Sequence, residues 1–132
     1  MLKHLLIFKV VNMKKQFIEI KTDFEATHNW PECPFDDVKF LKNEHRHKIY
    51  IKVKLKTDED RQLEFFKFKY QIDEIIDKLF GKEKLKLLGR KSMEEICNNI
   101  FEELSPIYYG RDMTISASED NQVTGILEYE HQ

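Results

Sequence analysis

The sequence predicts an α+β fold, an antiparallel sheet of four main strands with two helices on one face. Period-two alternation of apolar and polar residues recurs near both ends of the 132-residue chain, and helical apolar stripes fill the middle. Strands at both ends with helices between them favour α+β over the regular β–α alternation of a parallel sheet.

Each element has its own signal. Residues 16–26, QFIEIKTDFEA, set Phe17, Glu19 and Lys21 against Ile18 and Ile20, and read as the first strand. HNWPECPFDDVKFLKN follows, with two prolines and an Asp pair, and reads as a long loop. Loops of that length inside a compact domain often carry function. HKIYIKVKLK is the second strand, TDEDR a turn, and QLEFFKF a resumed extended run. From 69 to 80 the period changes. Ile72, Ile75, Ile76, Leu79 and Phe80 recur at i, i+3, i+4, i+7 and i+8, and Gly81 stands just past the end. GKEKLKLLGRK is a charged connector. Ser92 with Glu95 three residues on forms a capping box for the second helix. Met93, Ile96, Cys97, Ile100, Phe101 and Leu104 line its apolar face, and Pro106 closes it. DMTISAS and VTGILEY, separated by EDNQ, complete the strands.

Composition narrows the classes. Apolar residues make up 41% and charged residues 35%, as in a globular domain with a well-charged surface. The length suits one domain over 1–132, with 1–12 as a possible N-terminal extension. Lys+Arg 22 against Asp+Glu 24 leaves a formal charge of −2, so no nucleic-acid partner is expected. Lys48, Lys52 and Lys54 alternate with Ile49, Ile51 and Val53, as the solvated face of a strand does. Two cysteines make no disulfide framework and fit a cytoplasmic location. MLKHLLIFKVVN has only a short apolar run, broken by Lys9, with no small-residue cleavage site. It reads as neither a signal peptide nor a membrane span, and Met13 offers an alternative start.

Three of the five histidines bracket the long loop: His28 ends the first strand, and His45 and His47 open the second. Residues i and i+2 of a strand share a face, so His45 and His47 project together and Arg46 projects away. An H-x-H pair alone is as compatible with surface or core-edge histidines. A third imidazole at the matching end of an adjacent strand points to a metal, since three neutral imidazoles with an open position make a catalytic-type zinc site.

At these residues the chain resembles the 6-pyruvoyltetrahydropterin synthase and 6-carboxytetrahydropterin synthase group of tunnelling-fold proteins. FEATH (24–28) resembles the family's F-x-A-x-H, and HRHKIY (45–50) its H-G-H-x-Y. EFFKFK (64–69) resembles the D-F-x-x-L-K entry to the first helix, and KSMEEI (91–96) the P-T-x-E-N start of the second. ISASED (115–120) puts Glu119 at the acidic position of V-x-E-T, and the ordered set spans about residues 16–129. The resemblance implies Zn2+ on His28, His45 and His47, a pterin or purine-type ligand held by Glu119, and a homo-oligomer. A carboxylate suits that ring because it accepts two parallel N–H bonds. Trp30 is a candidate stacking wall for the ring, or simply packing.

The departures bear on catalysis. The family's catalytic cysteine corresponds to Cys33, which lies twelve residues before His45, farther than usual, and also reads as an inert thiol. No histidine stands between His47 and His131, so the family's Asp-His pair after the first helix is missing. Arg46 replaces the glycine between the histidines and reads either as a contact for an anionic ligand group or as an ion-pair partner of Asp36, Asp37 or Glu44. Two functions follow from the resemblance: a zinc-dependent lyase acting on a dihydroneopterin triphosphate-like substrate, or a non-catalytic metal-containing protein that sequesters or senses a pterin, purine or nucleotide.

Overall fold

The alternating runs all enter one sheet. The structure, a computed structural model, describes residues 14–132, so the stretch read as a possible extension over 1–12 lies outside the described residues. In order come β1 (Gln16–His28), a 3-10 segment (Asp36–Lys42), β2 (His45–Thr57), α1 (Phe65–Phe80), β3 (Leu85–Gly89), α2 (Met93–Leu104), β4 (Met113–Glu119) and β5 (Val123–Tyr129). The strand order is β3-β1-β2-β4-β5.

Two expectations need correction. The sheet has five strands and is mixed, because LKLLG, inside the run read as a charged connector, forms β3 and pairs parallel to β1. The other three pairings are antiparallel. The run QLEFFKF is not extended: the helix already begins at Phe65. Its start is fixed by Glu64, whose carboxylate accepts from the Lys67 backbone N–H at 2.9 Å. Phe68 joins Ile72, Ile75, Ile76 and Phe80 on the buried face, while Phe65 and Phe66 stay exposed. Packing of Phe68 one turn before Ile72 outweighs the strand preference of a phenylalanine-rich segment.

Antiparallel partners point to the same face, so the pairing defines core rows across the sheet. Ile18, Leu55 and Met113 form one; Ile20, Val53, Ile115 and Leu127 the next; then Thr22, Ile51, Ala117 and Gly125. Phe24, Ile49 and Glu119 make the following row, where an acidic side chain first replaces an apolar one. Ile49, Ile51, Val53 and Leu55 are fully buried. At about 1.5–3 kcal/mol for each such side chain, β2 is the backbone of the core.

Both helices bury their stripes against this face. α1 packs on β1, and α2 packs on β4 and β5. Ser92 caps α2 by accepting from the Glu95 N–H at 3.1 Å. The start of α2 sits directly on β5 at Gly125, where a Cβ would lie 3.0 Å from both the Glu94 nitrogen and the Met93 Cβ. Only glycine leaves room for that approach. One buried cation anchors β3 to the end of α1. The Lys86 ammonium donates to Asp77 Oδ1 at 2.8 Å and to the Gly81 and Glu83 carbonyls. No helix among the described residues is long and apolar enough to cross a membrane.

Candidate metal centre

The core face does not stop where the apolar residues do. Beyond the Phe24–Ile49–Glu119 row, β1 and β2 add two more pairs on this face, Ala26 with His47 and His28 with His45. The alternation that points Ile49 and Ile51 inward therefore points both β2 histidines inward, and His28 faces them from β1. Ala26, almost fully buried, lies on the same face. Ring centroids are 4.5 Å apart for His28 and His45, 5.2 Å for His28 and His47, and 4.9 Å for His45 and His47. One nitrogen from each lies within 4.8 Å of the others.

The hydrogen bonds around the rings decide which nitrogens face inward. His45 Nδ1 is 2.7 Å from the Asn43 carbonyl, which can only accept, so Nδ1 carries the hydrogen. His47 Nδ1 is 2.6 Å from Asp120 Oδ2 and donates to that carboxylate. Asp120 is itself held, because its Oδ1 accepts from the Lys48 N–H at 2.9 Å. These bonds leave Nε2 of both rings as an unprotonated acceptor when the imidazoles are neutral.

Glu119 sits among those acceptors. Its Oε1 is 3.2 Å from His28 Nε2 and its Oε2 is 3.6 Å from His47 Nε2. His28 Nε2 and His45 Nε2 are buried and make no hydrogen bond. With its hydrogen on Nδ1, His47 turns an Nε2 lone pair toward the Glu119 carboxylate at 3.6 Å, and the two repel unless a cation lies between them. The donor set of three imidazoles suits zinc, and Nδ1 contacts to a carbonyl and a carboxylate are the usual way metal-binding histidines are oriented. Burial lowers the His28 pKa below 6.5, with the neighbouring histidines adding to the shift and Glu119 partly opposing it. His28 is thereby kept in the neutral form that a metal needs. The hydrogen bond from His47, with a second from the Lys48 backbone, lowers the Asp120 carboxyl.

A cavity of about 570 Å³ opens beside the histidines, lined by His28, His45, Glu119, Trp30, Leu41 and the α2 start from Ser92 to Glu95. Slightly larger recesses, about 630 and 680 Å³, lie at the Gln16–Phe65 end of the sheet and beside Lys86. Neither holds the histidines, so chemistry rather than volume singles out the smaller one.

The remaining expected site residues are placed as follows. Trp30 is 41% exposed, lines the cavity, and packs edge-on against Phe35. Cys33 is buried within its own loop, its sulfur 3.9 Å from the Phe35 and Val38 carbonyls, and it does not line the cavity. Arg46 lies on the opposite face of the sheet, where its guanidinium meets Glu25 at 2.5 Å, rather than Asp36, Asp37 or Glu44. Asp120 and the Asn43 carbonyl were not anticipated. The one signal in the sequence was an aspartate directly after Glu119.

A sheet backed by two helices on one face, with three histidines at the end of its central strand pair, defines a tunnelling-fold protein with a candidate metal centre. Comparison with solved structures agrees. The Caenorhabditis elegans 6-pyruvoyl tetrahydropterin synthase superposes with a TM-score of 0.62 at 16% identity, covering 89% of this chain and 98% of that one. The Plasmodium falciparum 6-pyruvoyl tetrahydropterin synthase gives 0.61 at 16%, covering 88% and 98%. An uncharacterized protein from Wolinella succinogenes gives 0.64 at 14%, covering 89% and 99%. The chain thus has the fold of the 6-pyruvoyl tetrahydropterin synthases, in line with the resemblance carried by its motifs. No protein-family model matches the chain. No curated protein matches it significantly in sequence.

Proposed function

We propose that the protein is a zinc-dependent lyase of the pterin type, acting on a dihydroneopterin triphosphate-like substrate in the cavity beside the histidines. The observation that carries this reading is the convergence of three imidazoles on the Glu119 carboxylate, with His28, His45 and Glu119 lining a cavity of about 570 Å³. His28, His45 and His47 would hold the zinc. Bound there, zinc supplies Lewis-acid polarisation of oxygens on the ligand side chain. Trp30 offers a face for the ring. Glu119 is the cavity carboxylate nearest the histidines, and it either holds the ring edge or keeps a proton at the reacting side chain. A homo-oligomer fits the apolar side chains left exposed on the two edge strands, Leu87 on β3 and Val123 and Ile126 on β5.

A second reading rests on Cys33. Its thiol is turned toward two carbonyls of its own loop, and no histidine lies between His47 and His131 to form a relay. On that reading the protein keeps the metal and the ring pocket but binds a pterin, purine or nucleotide without turning it over. One experiment separates the two: zinc-loaded protein is mixed with dihydroneopterin triphosphate without oxygen and followed by mass spectrometry. Loss of the triphosphate without addition of water, or loss of the side chain, establishes the lyase. Unchanged substrate leaves binding, and a protein that takes up no zinc removes both.

A further inference from the structure

We infer that Asp120 is a positioning residue of the metal centre, fixing the tautomer of His47 and strengthening it as a ligand. The inference rests on the zinc reading above and concerns a residue that neither the motifs nor the spacing of the histidines picks out. Asp120 and Asn121 have φ of 54° and 60°, and the Gln122 N–H donates to the Glu119 carbonyl at 2.9 Å. These residues form a turn in the three-residue connection between β4 and β5, across which Glu119 pairs with Val123, and aspartate, asparagine and glycine are all suited to its positive φ. The turn alone therefore does not require a carboxylate.

What the carboxylate adds lies across the sheet. The Asp120 N–H donates to the Lys48 carbonyl at 2.8 Å, and Asp120 Oδ1 accepts from the Lys48 N–H at 2.9 Å. These two bonds lock the side chain onto β2 at the residue next to His47. The second oxygen, Oδ2, is then held 2.6 Å from His47 Nδ1. A carboxylate in this place keeps the hydrogen on Nδ1, turns Nε2 toward His28 and Glu119, and pushes electron density onto the nitrogen that binds the metal. His45 has only the Asn43 carbonyl in the corresponding place, a neutral acceptor. The two β2 imidazoles are accordingly unlike, with His47 the stronger donor of the pair.

The chemistry separates from the turn in two variants. Asp120→Asn keeps an oxygen for the Lys48 N–H and tolerates the positive φ, but removes the charge. Asp120→Gly keeps the turn and removes the side chain. Zinc affinity is measured by competition with a chromophoric chelator on the full chain, and the His47 tautomer by nitrogen NMR of chelator-treated protein. The expected result is about tenfold weaker zinc binding for Asp120→Asn and up to about a hundredfold for Asp120→Gly, the range typical of carboxylates behind metal-binding histidines. Wild-type His47 should carry its hydrogen on Nδ1, and both variants should show a tautomer mixture. A purely structural turn residue would shift melting temperature without moving the tautomer. The inference is overturned if both variants bind zinc within twofold of wild type, or if wild-type His47 is protonated on Nε2. Wild-type protein that binds no zinc would instead remove the metal reading itself and the positioning role with it.

Discussion

Replacing Gly125 by alanine tests how closely α2 is pressed onto the sheet. The added Cβ would stand 3.0 Å from the Glu94 nitrogen, 3.0 Å from the Met93 Cβ and 3.1 Å from the Met93 carbonyl carbon. Carbon contacts settle at about 3.5–4.0 Å, so the first turn of α2 must retreat by roughly 0.5 Å. Its neighbours there are mostly backbone, which cannot swing aside as a side chain can. Overpacking of this kind costs about 1–3 kcal/mol. Against it stands the smaller freedom of alanine in the unfolded chain, worth about 0.4–1 kcal/mol. The net expectation is a loss of about 1–2 kcal/mol, or roughly 4–8 °C of melting temperature for a domain of this size. Urea titration followed by far-ultraviolet circular dichroism measures it, and zinc affinity should stay within a few-fold because the histidines stand on β1 and β2. A midpoint equal to or above wild type would refute the account of α2 seated directly on Gly125.

Other outcomes follow from the same geometry. Burial raises the Cys97 thiol to about 11, so iodoacetamide at pH 8 should leave it intact in folded protein and alkylate it in urea. Ser92→Ala should cost about 1 kcal/mol through loss of the α2 cap, read by the same urea titration. His28 is held below 6.5 by burial, so below that pH the unfolded chain takes up the proton more readily than the folded one. Stability of chelator-treated protein is therefore fully present above about pH 6.5 and declines as pH falls toward the lower folded value. His28→Gln should flatten that decline in chemical denaturation across pH. Zinc at a hundred times its dissociation constant should add about 2.7 kcal/mol to wild type and far less to His45→Ala, seen as a difference in thermal shift.

Much of this architecture was legible because it is written in period. The alternation around Ile49, Ile51 and Val53, the α1 stripe from Ile72 to Phe80 and the Ser92 cap are local, and each formed where expected. β3 escaped because five residues flanked by lysines carry the same composition as a solvated connector. Only pairing with β1 makes Leu85–Gly89 a strand. The start of α1 was hidden because Phe65, Phe66 and Phe68 favour strands intrinsically, while the packing of Phe68 is decided by tertiary contact. At the candidate site, the shared face of His45 and His47 followed from parity, and His28 from the strand end. Glu119 and Asp120 reach the histidines only through the pairing of β2 with β4, a long-range fact that spacing along the chain does not contain. Arg46 was expected to find an acid near it in sequence, and found Glu25 across the β1–β2 ladder instead.

One face of β2 carries first the core and then the histidines, and this ties two kinds of correctness together. A slip of one position between β1 and β2 would expose the isoleucines and turn His45 and His47 outward in the same movement. A misaligned chain therefore cannot assemble the donor set while keeping its interior. On the zinc reading, an ion arriving before the sheet is final would reward only the properly aligned hairpin. Metal uptake would then act as a proofreader of strand alignment, and its rate during refolding would report when β1 and β2 first meet in their native phase.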